Sequence, residues 1–135
     1  MKSLVLDASV ALGWMVDAPV PRASHRAFQL LESGATGVVP DLWYCEVANA
    51  LLMAERRGRA SAQMVSAHIT DIERLAAFLE VSPTTPSALV AAARQSGLTA
   101  YDAAYFELAL RRNLPLATLD VKMRAAAQRA GIELI

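Results

Sequence analysis

Short apolar runs alternate along this chain with longer segments in which apolar residues recur every three or four positions. The short runs are too brief for helices, so they predict buried strands, whereas the periodic segments predict amphipathic helices. The predicted strands are residues 3–6, 37–39, 78–81, 116–119 and 132–135. The predicted helices, with their expected capping residues included, are 8–16, 24–33, 41–58, 61–77, 85–97, 99–113 and 120–131.

Polar residues and glycines mark the expected ends of these helices. Side-chain oxygens placed just before a helix accept its first free N–H groups, and a glycine just after a helix adopts the left-handed turn that closes it. The expected N-caps include Asp41, Ser61, Thr85, Thr99 and Asp120. Strands that alternate with helices predict an α/β fold with a mostly parallel central sheet of about five short strands, and 135 residues suit one domain spanning 1–135.

Charge and cysteine content narrow the classes of function. Thirteen basic and thirteen acidic side chains cancel, so any attraction to nucleic acid must come from the distribution of charge. Cys45 is the only cysteine, which excludes an intramolecular disulfide and a cysteine-based zinc site, and we expect it in the core of a protein from a reducing compartment. His25 and His68 are isolated, which disfavours zinc further. No apolar run approaches the ~18 residues of a membrane span, and Asp7 interrupts the stretch that a signal peptide would need, so we expect a cytoplasmic protein with no membrane partner.

Four acidic residues occupy positions from which they could meet. Asp7 and Asp120 follow predicted strands, and ligands of open parallel sheets bind at the carboxyl ends of strands. Glu46 and Asn49 share one stripe of the third predicted helix, and Asp102 lies in the first turn of its helix. Four acids gathered at one sheet edge would repel each other unless a cation neutralised them, and hard oxygen ligands select Mg²⁺ or Mn²⁺.

Each acid also has a purely structural explanation. Asp7 and Asp120 could be helix N-caps, and Thr99 with Asp102 matches a capping box. Glu46 could belong to the solvated stripe of an amphipathic helix. For each acid taken alone, the structural explanation accounts for the residue as well as a metal-binding role does. Only the combination of the four acids favours a metal site.

The ordered set of motifs resembles the PIN domain, and within it the small VapC-type toxin ribonucleases of bacterial toxin–antitoxin pairs. The resemblance rests on LVLDAS around Asp7, on Glu46 followed by Asn49, on LTAYDAAY around Asp102 and on LATLD ending at Asp120. It covers essentially the whole chain.

This resemblance implies a doubly wound parallel sheet, an Mg²⁺- or Mn²⁺-dependent endoribonuclease that hydrolyses RNA phosphodiester bonds, a cognate antitoxin that covers the site, and a homodimer. The implied catalytic metal ligands are Asp7, Glu46, Asp102 and Asp120, with Ser9, Asn49 and Thr118 as supporting polar residues. The chain departs from the pattern at Lys122, where many relatives carry another acid. A second metal site is therefore in doubt, and this lysine could instead meet a phosphate.

Basic and aromatic side chains supply the candidates for RNA contact, because phosphate positioning needs cations outside the acidic centre. The basic candidates are Arg56, Arg57, Arg59, Lys122 and Arg124, with Arg22 and Arg26 as weaker ones. The aromatic residues Trp14, Trp43, Tyr101 and Tyr105 could stack on bases, but their helical positions favour core or interface roles.

Two other functions compete with a nuclease. The first is an inert PIN-like domain that binds nucleic acid or protein while its acids only cap helices. The second is a receiver-type phosphoacceptor or an aspartyl phosphatase, which also places an aspartate after the first strand. It fits poorly, because the phosphatase expects an aspartate where this chain has Ser9, and a receiver expects an acidic pair that Asp7 alone does not supply.

Overall fold

A parallel four-stranded sheet forms the centre of the computed structural model, which describes residues 2–135. Its strands are β1 (Ser3–Leu6), β2 (Thr36–Val39), β3 (Leu79–Val81) and β4 (Leu116–Ala117). They are arranged in the order β3-β2-β1-β4, and every neighbouring pair is parallel. The chain therefore runs outward from β1 to β3 and then returns to the other side of β1. The switch in direction lies between β1 and β4, which is where open α/β sheets bind ligands.

Seven α-helices and one 3-10 turn connect the strands within the described residues. The helices are α1 (Ala8–Val16), α2 (Arg22–Glu32), α3 (Trp43–Arg56), α4 (Ala62–Leu75), α5 (Pro86–Ser96), α6 (Ala100–Arg112) and α7 (Val121–Arg129). The 3-10 turn, Ala76–Phe78, joins α4 to β3. No helix in residues 2–135 combines the length and the apolar character needed to cross a bilayer.

The core is built around β1, whose Leu4, Val5 and Leu6 are fully buried. A strand covered by helices on both faces needs such a continuous apolar run, which explains why β1 was predictable. Trp43 of α3 and Tyr105 of α6 are among the largest fully buried side chains, and each contributes about 2–3 kcal/mol by leaving water. These helices are thereby fixed against the sheet with their first turns available to a site.

Most predicted helix caps are confirmed. Side-chain oxygens of Ser61, Thr85, Thr99 and Asp120 accept the N–H groups of Met64, Ala88, Asp102 and Met123. The cap predicted at Asp41 is wrong, because Asp41 and Leu42 form a turn in which the Trp43 N–H donates to the Pro40 carbonyl. The helix starts only at Trp43, with no side-chain cap.

The C-terminal end of the sheet is shorter than predicted. β4 ends at Ala117 rather than at residue 119, and residues 132–135 form one bridge, between Leu134 and Leu116, instead of a fifth strand. In this bridge the Leu116 N–H donates to the Glu133 carbonyl, and the Leu116 carbonyl accepts the N–H of Ile135. Because β4 contains only two residues, a neighbouring segment cannot pair with it over a greater length.

Two smaller expectations also change. α2 begins at Arg22, two residues before the predicted start at residue 24. Cys45 is exposed rather than part of the core. The buried residues of α3 are Trp43, Val47 and Leu51, four positions apart, and position 45 lies on the opposite side of the helix from this stripe.

Candidate metal centre

Asp7 follows β1 directly and carries the most buried carboxylate of the four, with only 6% of the residue exposed. Its Oδ2 accepts hydrogen bonds from the hydroxyl groups of Ser9 (2.6 Å) and Thr118 (2.7 Å). Burial raises the pKa of Asp7, the two hydroxyls lower it, and the charge of Asp102 raises it again. Within residues 2–135 no basic side chain forms a salt bridge with it. The charged form therefore lacks a counter-ion.

The two hydroxyl groups are held as donors toward Asp7. The Ser9 Oγ accepts the N–H of Leu119 (3.1 Å), and the Thr118 Oγ1 accepts the N–H of Asp120 (3.1 Å). A hydroxyl has one hydrogen, so each can direct it to the carboxylate. No N–H of α1 reaches hydrogen-bonding geometry to Asp7, although the Ser9 amide adds a smaller lowering of the pKa. Asp7 occupies the cap position without acting as the cap.

Glu46 lies in the first turn of α3 and is half-buried. Its Oε1 accepts a hydrogen bond from the Tyr105 hydroxyl, across 59 positions of sequence. Burial raises the pKa of Glu46, this hydrogen bond lowers it, and the charges of Asp7 and Asp102 raise it. Burial and the negative charge of Asp7 also raise the pKa of Tyr105, so its hydroxyl stays protonated as a donor. Tyr105 is thus both a core anchor and the residue that orients Glu46.

Asp102 and Asp120 complete the acidic group from the other side of β1. Asp102 lies in the first turn of α6, and burial and the charge of Asp120 raise its pKa, whereas the Thr99 hydroxyl and the charge of Lys122 lower it. The Asp120 Oδ1 accepts the N–H of Met123 (2.8 Å) and so caps α7. The capping explanation is therefore correct for one oxygen of Asp120, and its second oxygen remains available.

The mutual charge effects connect all four acids. The charge of Asp102 raises the pKa of Asp7, and the charges of both raise the pKa of Glu46. The charge of Asp120 raises the pKa of Asp102. The Thr118 hydroxyl contacts both Asp7 and the Asp120 amide, and Tyr105, one turn from Asp102 on α6, contacts Glu46. The segments that carry the four acids therefore meet at the carboxyl ends of β1 and β4. Within residues 2–135, no three His, Cys, Asp or Glu side chains are placed to hold a metal ion together. Mg²⁺ keeps several waters and takes only one or two carboxylates directly, so it does not need three protein ligands in contact with it.

The sequence model of the PIN domain matches residues 4–129, which include all four acids and nearly the whole fold. The chain belongs to the PIN domain family. No curated protein sequence matches it.

Solved structures agree with this PIN fold. PAE2754 from Pyrobaculum aerophilum is 24% identical, with a TM-score of 0.71 over 99% of this chain and 83% of that one. A chain of VapBC2 from Rickettsia felis, solved with a DNA fragment from their promoter, is 13% identical, with a TM-score of 0.64 over 99% and 98%. The sarcin-ricin loop cleaving toxin VapC20 of Mycobacterium tuberculosis is 18% identical, with a TM-score of 0.58 over 91% and 94%. At these identities the similarity shows the fold.

The basic candidates of this PIN domain fall into two places. Lys122 lies near enough to lower the pKa of Asp102, and Arg124 donates to the Thr118 carbonyl (2.9 Å), so both are beside the acids. Arg57 and Arg59 instead line a cavity of about 630 Å³ between α1, α3 and α4, together with the exposed Asn49. Arg56 is exposed at the end of α3. No hydrogen bond joins Asn49 to an acid within residues 2–135.

Of the four aromatic candidates, Tyr101 is the one with a largely free ring. It is 71% exposed and directly precedes Asp102 on α6. Trp43 and Tyr105 are fully buried, and the half-buried Trp14 packs edge-on against Phe28 with ring centroids 5.5 Å apart. Base stacking, if it uses one of these residues, is therefore expected at Tyr101.

Replacing Tyr105 by phenylalanine is expected to raise the pKa of Glu46 further, because the hydrogen bond that lowers it is lost. Loss of this bond should cost about 1 kcal/mol of stability. Glu46 would then stay protonated to a higher pH, so Mn²⁺ affinity measured by calorimetry should fall more at pH 6 than at pH 8. Tyr101→Phe, on the same helix with an exposed ring, is the control. Identical pH profiles for Tyr105→Phe and the wild type would argue against this positioning role.

Asp120 allows its capping and acidic roles to be separated by two substitutions. Asp120→Asn should keep the cap and the stability, whereas Asp120→Ala should lose about 1 kcal/mol. Both should lower nuclease activity by about tenfold or more, because the charge beside Asp102 is gone. Ser61→Ala removes the cap of α4 outside the acidic group and should lose stability without losing cleavage. Thermal melts and cleavage rates of the three variants test these expectations. Full activity in Asp120→Asn would mean that Asp120 serves only as the N-cap of α7.

Proposed function

We propose that this PIN domain is an Mg²⁺- or Mn²⁺-dependent endoribonuclease, and that it is the VapC-type toxin of a toxin–antitoxin pair. The observation that carries the proposal is the group of four carboxylates at the switch point of the sheet. Burial and the charges of neighbouring acids raise the pKa values of three of them, Asp7, Glu46 and Asp102. Such a group is costly unless it holds a cation. The fold similarity to VapC20, a toxin that cleaves the sarcin-ricin loop, supports RNA as the substrate.

The four acids would hold the divalent cation, namely Asp7, Glu46, Asp102 and Asp120. When bound, it lowers the pKa of a coordinated water and offsets the negative charge that builds on the phosphoryl oxygens. Ser9 and Thr118 favour the ionised form of Asp7 through their hydroxyl hydrogen bonds. Tyr105 fixes the direction of the Glu46 carboxylate. These hydrogen bonds thus favour the charged form of both carboxylates and fix their orientation.

The acidic group also supplies a proton acceptor for the attacking water. A carboxylate whose pKa is raised is a stronger base than one at its ordinary value, and Asp7, Glu46 and Asp102 are all shifted in this direction. Because coupled carboxylates titrate together, the proton is assigned to the group rather than to one member. We also propose that Lys122, whose charge lowers the pKa of Asp102, pairs with a non-bridging phosphate oxygen.

The experiment that tests this function is incubation of a structured RNA mixture with the purified protein. We expect cleavage with Mg²⁺ or Mn²⁺, and none with a chelator or with Asp7→Asn. Asp71→Asn, the same substitution at an exposed position of α4, is the matched control and should cleave normally. RNA binding without cleavage under every condition would instead support an inert binding domain.

We extend the proposal to protein partners. The VapBC2 structure of Rickettsia felis contains a toxin with its antitoxin, and we propose that a cognate antitoxin inhibits this chain by covering the acidic edge. We also propose a homodimer that uses the exposed apolar side chains of α3 and α4, among them Tyr44, Leu52 and Ile69. Light scattering should find a dimer for the wild type and a monomer for Ile69→Glu, and a monomeric wild type would contradict this assembly.

A further inference from the structure

A cavity of about 670 Å³ opens beside the acidic centre and is lined by three arginines. Arg22 and Arg26 reach it from the first two turns of α2, and Arg124 reaches it from α7. The other walls include Thr118 and Leu119, which follow β4, and residues 133–135. The volume falls within the range of about 300–1,000 Å³ that is typical of small-ligand sites.

The cavity carries more positive than negative side chains. Glu133 is the one acidic side chain among its lining residues, against three guanidinium groups. None of these three arginines forms a salt bridge within residues 2–135, whereas Arg74, Arg111 and Arg112 each do. A guanidinium group matches a phosphate through two parallel hydrogen bonds, so three arginines that line one cavity without an acidic partner indicate an anion site.

Thr118 joins this cavity to the acidic centre. Its hydroxyl donates to the Asp7 carboxylate (2.7 Å), and its carbonyl accepts from the Arg124 guanidinium (2.9 Å). Thr118 is fully buried, so it forms a fixed wall with an acid on one side and an arginine on the other. Thr118 would consequently separate a phosphate in the cavity from the Asp7 carboxylate.

We propose that this cavity is a phosphate subsite that holds a backbone phosphate of the RNA strand bound at the acidic centre. The inference rests on the proposed function, because it takes the acidic centre as the place of cleavage. The two sites would have different roles. The acids would act at the phosphate that is cut, and the arginines would bind another phosphate of the same strand and so fix the position of the RNA. Such contacts position nucleic acid without reading its sequence.

The test measures RNA affinity separately from cleavage. In an Asp7→Asn background, which leaves the RNA intact, the Kd of a labelled single-stranded RNA is measured over a range of KCl concentrations. The double substitution Arg22→Gln and Arg26→Gln should weaken binding by about tenfold and reduce the slope of log Kd against log salt by about 0.7 to 1. Arg94→Gln, at an exposed position of α5 outside the cavity, should change neither. Both arginines of the double variant are exposed on α2, and a thermal melt verifies that it folds.

Inorganic phosphate provides the second arm. Titrated into the ¹⁵N-labelled protein, it should shift the arginine Nε signals of Arg22, Arg26 and Arg124 in the wild type. In the double variant it should leave the Arg124 signal in place. Unchanged RNA affinity and salt slope in the double variant would overturn the proposal, even if inorganic phosphate binds, because the cavity would then serve a free anion. Weakened RNA binding in a protein that never cleaves RNA would support the subsite while rejecting the nuclease.

Discussion

Asp7→Asn is expected to lower the rate of RNA cleavage by about a thousandfold or more, because it removes the most buried charge of the group that would hold the cation. The same variant should be more stable than the wild type at pH 7 without metal. Burial and the charge of Asp102 raise the pKa of Asp7 above its ordinary value of 3.8, so the ionised form destabilises the folded state. Asparagine has no charge to bury and can still accept the hydroxyl hydrogen bonds of Ser9 and Thr118.

The sign of this stability difference depends on pH in a defined way. Below pH 3.8 the carboxyl group is protonated in both states, and the wild type should match the variant. As the pH rises through 3.8 toward the raised pKa of the folded state, the unfolded chain ionises first, so the wild type loses stability. Above the folded pKa the loss is complete. Denaturant unfolding at pH 3 and pH 7 measures this, with Asp71→Asn as the control, and a variant less stable than the wild type at pH 7 would contradict the account.

Addition of Mg²⁺ or Mn²⁺ is expected to stabilise the wild type strongly. A ligand that binds only the folded state at about 100 times its Kd contributes about 2.7 kcal/mol, which for a domain of this size corresponds to roughly 10 °C in Tm. Asp7→Asn should show little of this increase. Because the pKa values of Asp7, Glu46 and Asp102 are raised, protons compete with the metal at a higher pH than at ordinary carboxylates. The increase in Tm should therefore shrink as the pH falls.

Thermal melts with and without metal, at several pH values, test this second expectation. Ca²⁺ and the monovalent salt KCl at equal ionic strength separate specific binding from screening. Equal stabilisation of the wild type and Asp7→Asn would mean that the metal binds elsewhere. A wild type that no divalent ion stabilises would remove the physical basis of the nuclease proposal.

Local features of the sequence predicted much of the fold. β1 and α1 have the predicted bounds, because an apolar run and the residue that follows it are short-range signals. Caps at Ser61, Thr85 and Thr99 were predictable for the same reason, since a cap acts within one turn. The bridge at residues 132–135 was not, because the length of that ladder depends on how long β4 is.

The sequence indicated which residues form the site better than it indicated how those residues contact one another. Asp7 follows β1 directly and Asp120 lies three residues after β4, so their closeness follows from a parallel sheet with a switch point between these neighbouring strands. The hydrogen bond from Tyr105 to Glu46 joins residues 59 positions apart, and nothing local distinguishes Tyr105 from any other buried aromatic residue. The sequence offered one signal, the spacing of three between Asp102 and Tyr105, which places both on one face of α6.

The arginine cavity also could not be predicted from the sequence, because it depends on contacts between distant segments. Its charged residues come from α2, α7 and the last residues of the chain. The sequence offered the three arginines as candidates for phosphate contact, but nothing in their own segments indicated that they line one cavity. Only the packing of α2 over the edge of β4 brings them together. Charge totals gave no hint of it either, because the net charge of the chain is zero.

Diffraction from crystals of the protein soaked with Mn²⁺, recorded for its anomalous signal, tests the central claim most directly. We predict one strong anomalous peak at the carboxyl ends of β1 and β4, coordinated directly or through water by the acids of the group, and its loss in Asp7→Asn. Absence of a peak there in the wild type, or a peak only at a distant surface, would contradict the claim that these side chains gather around a shared cation.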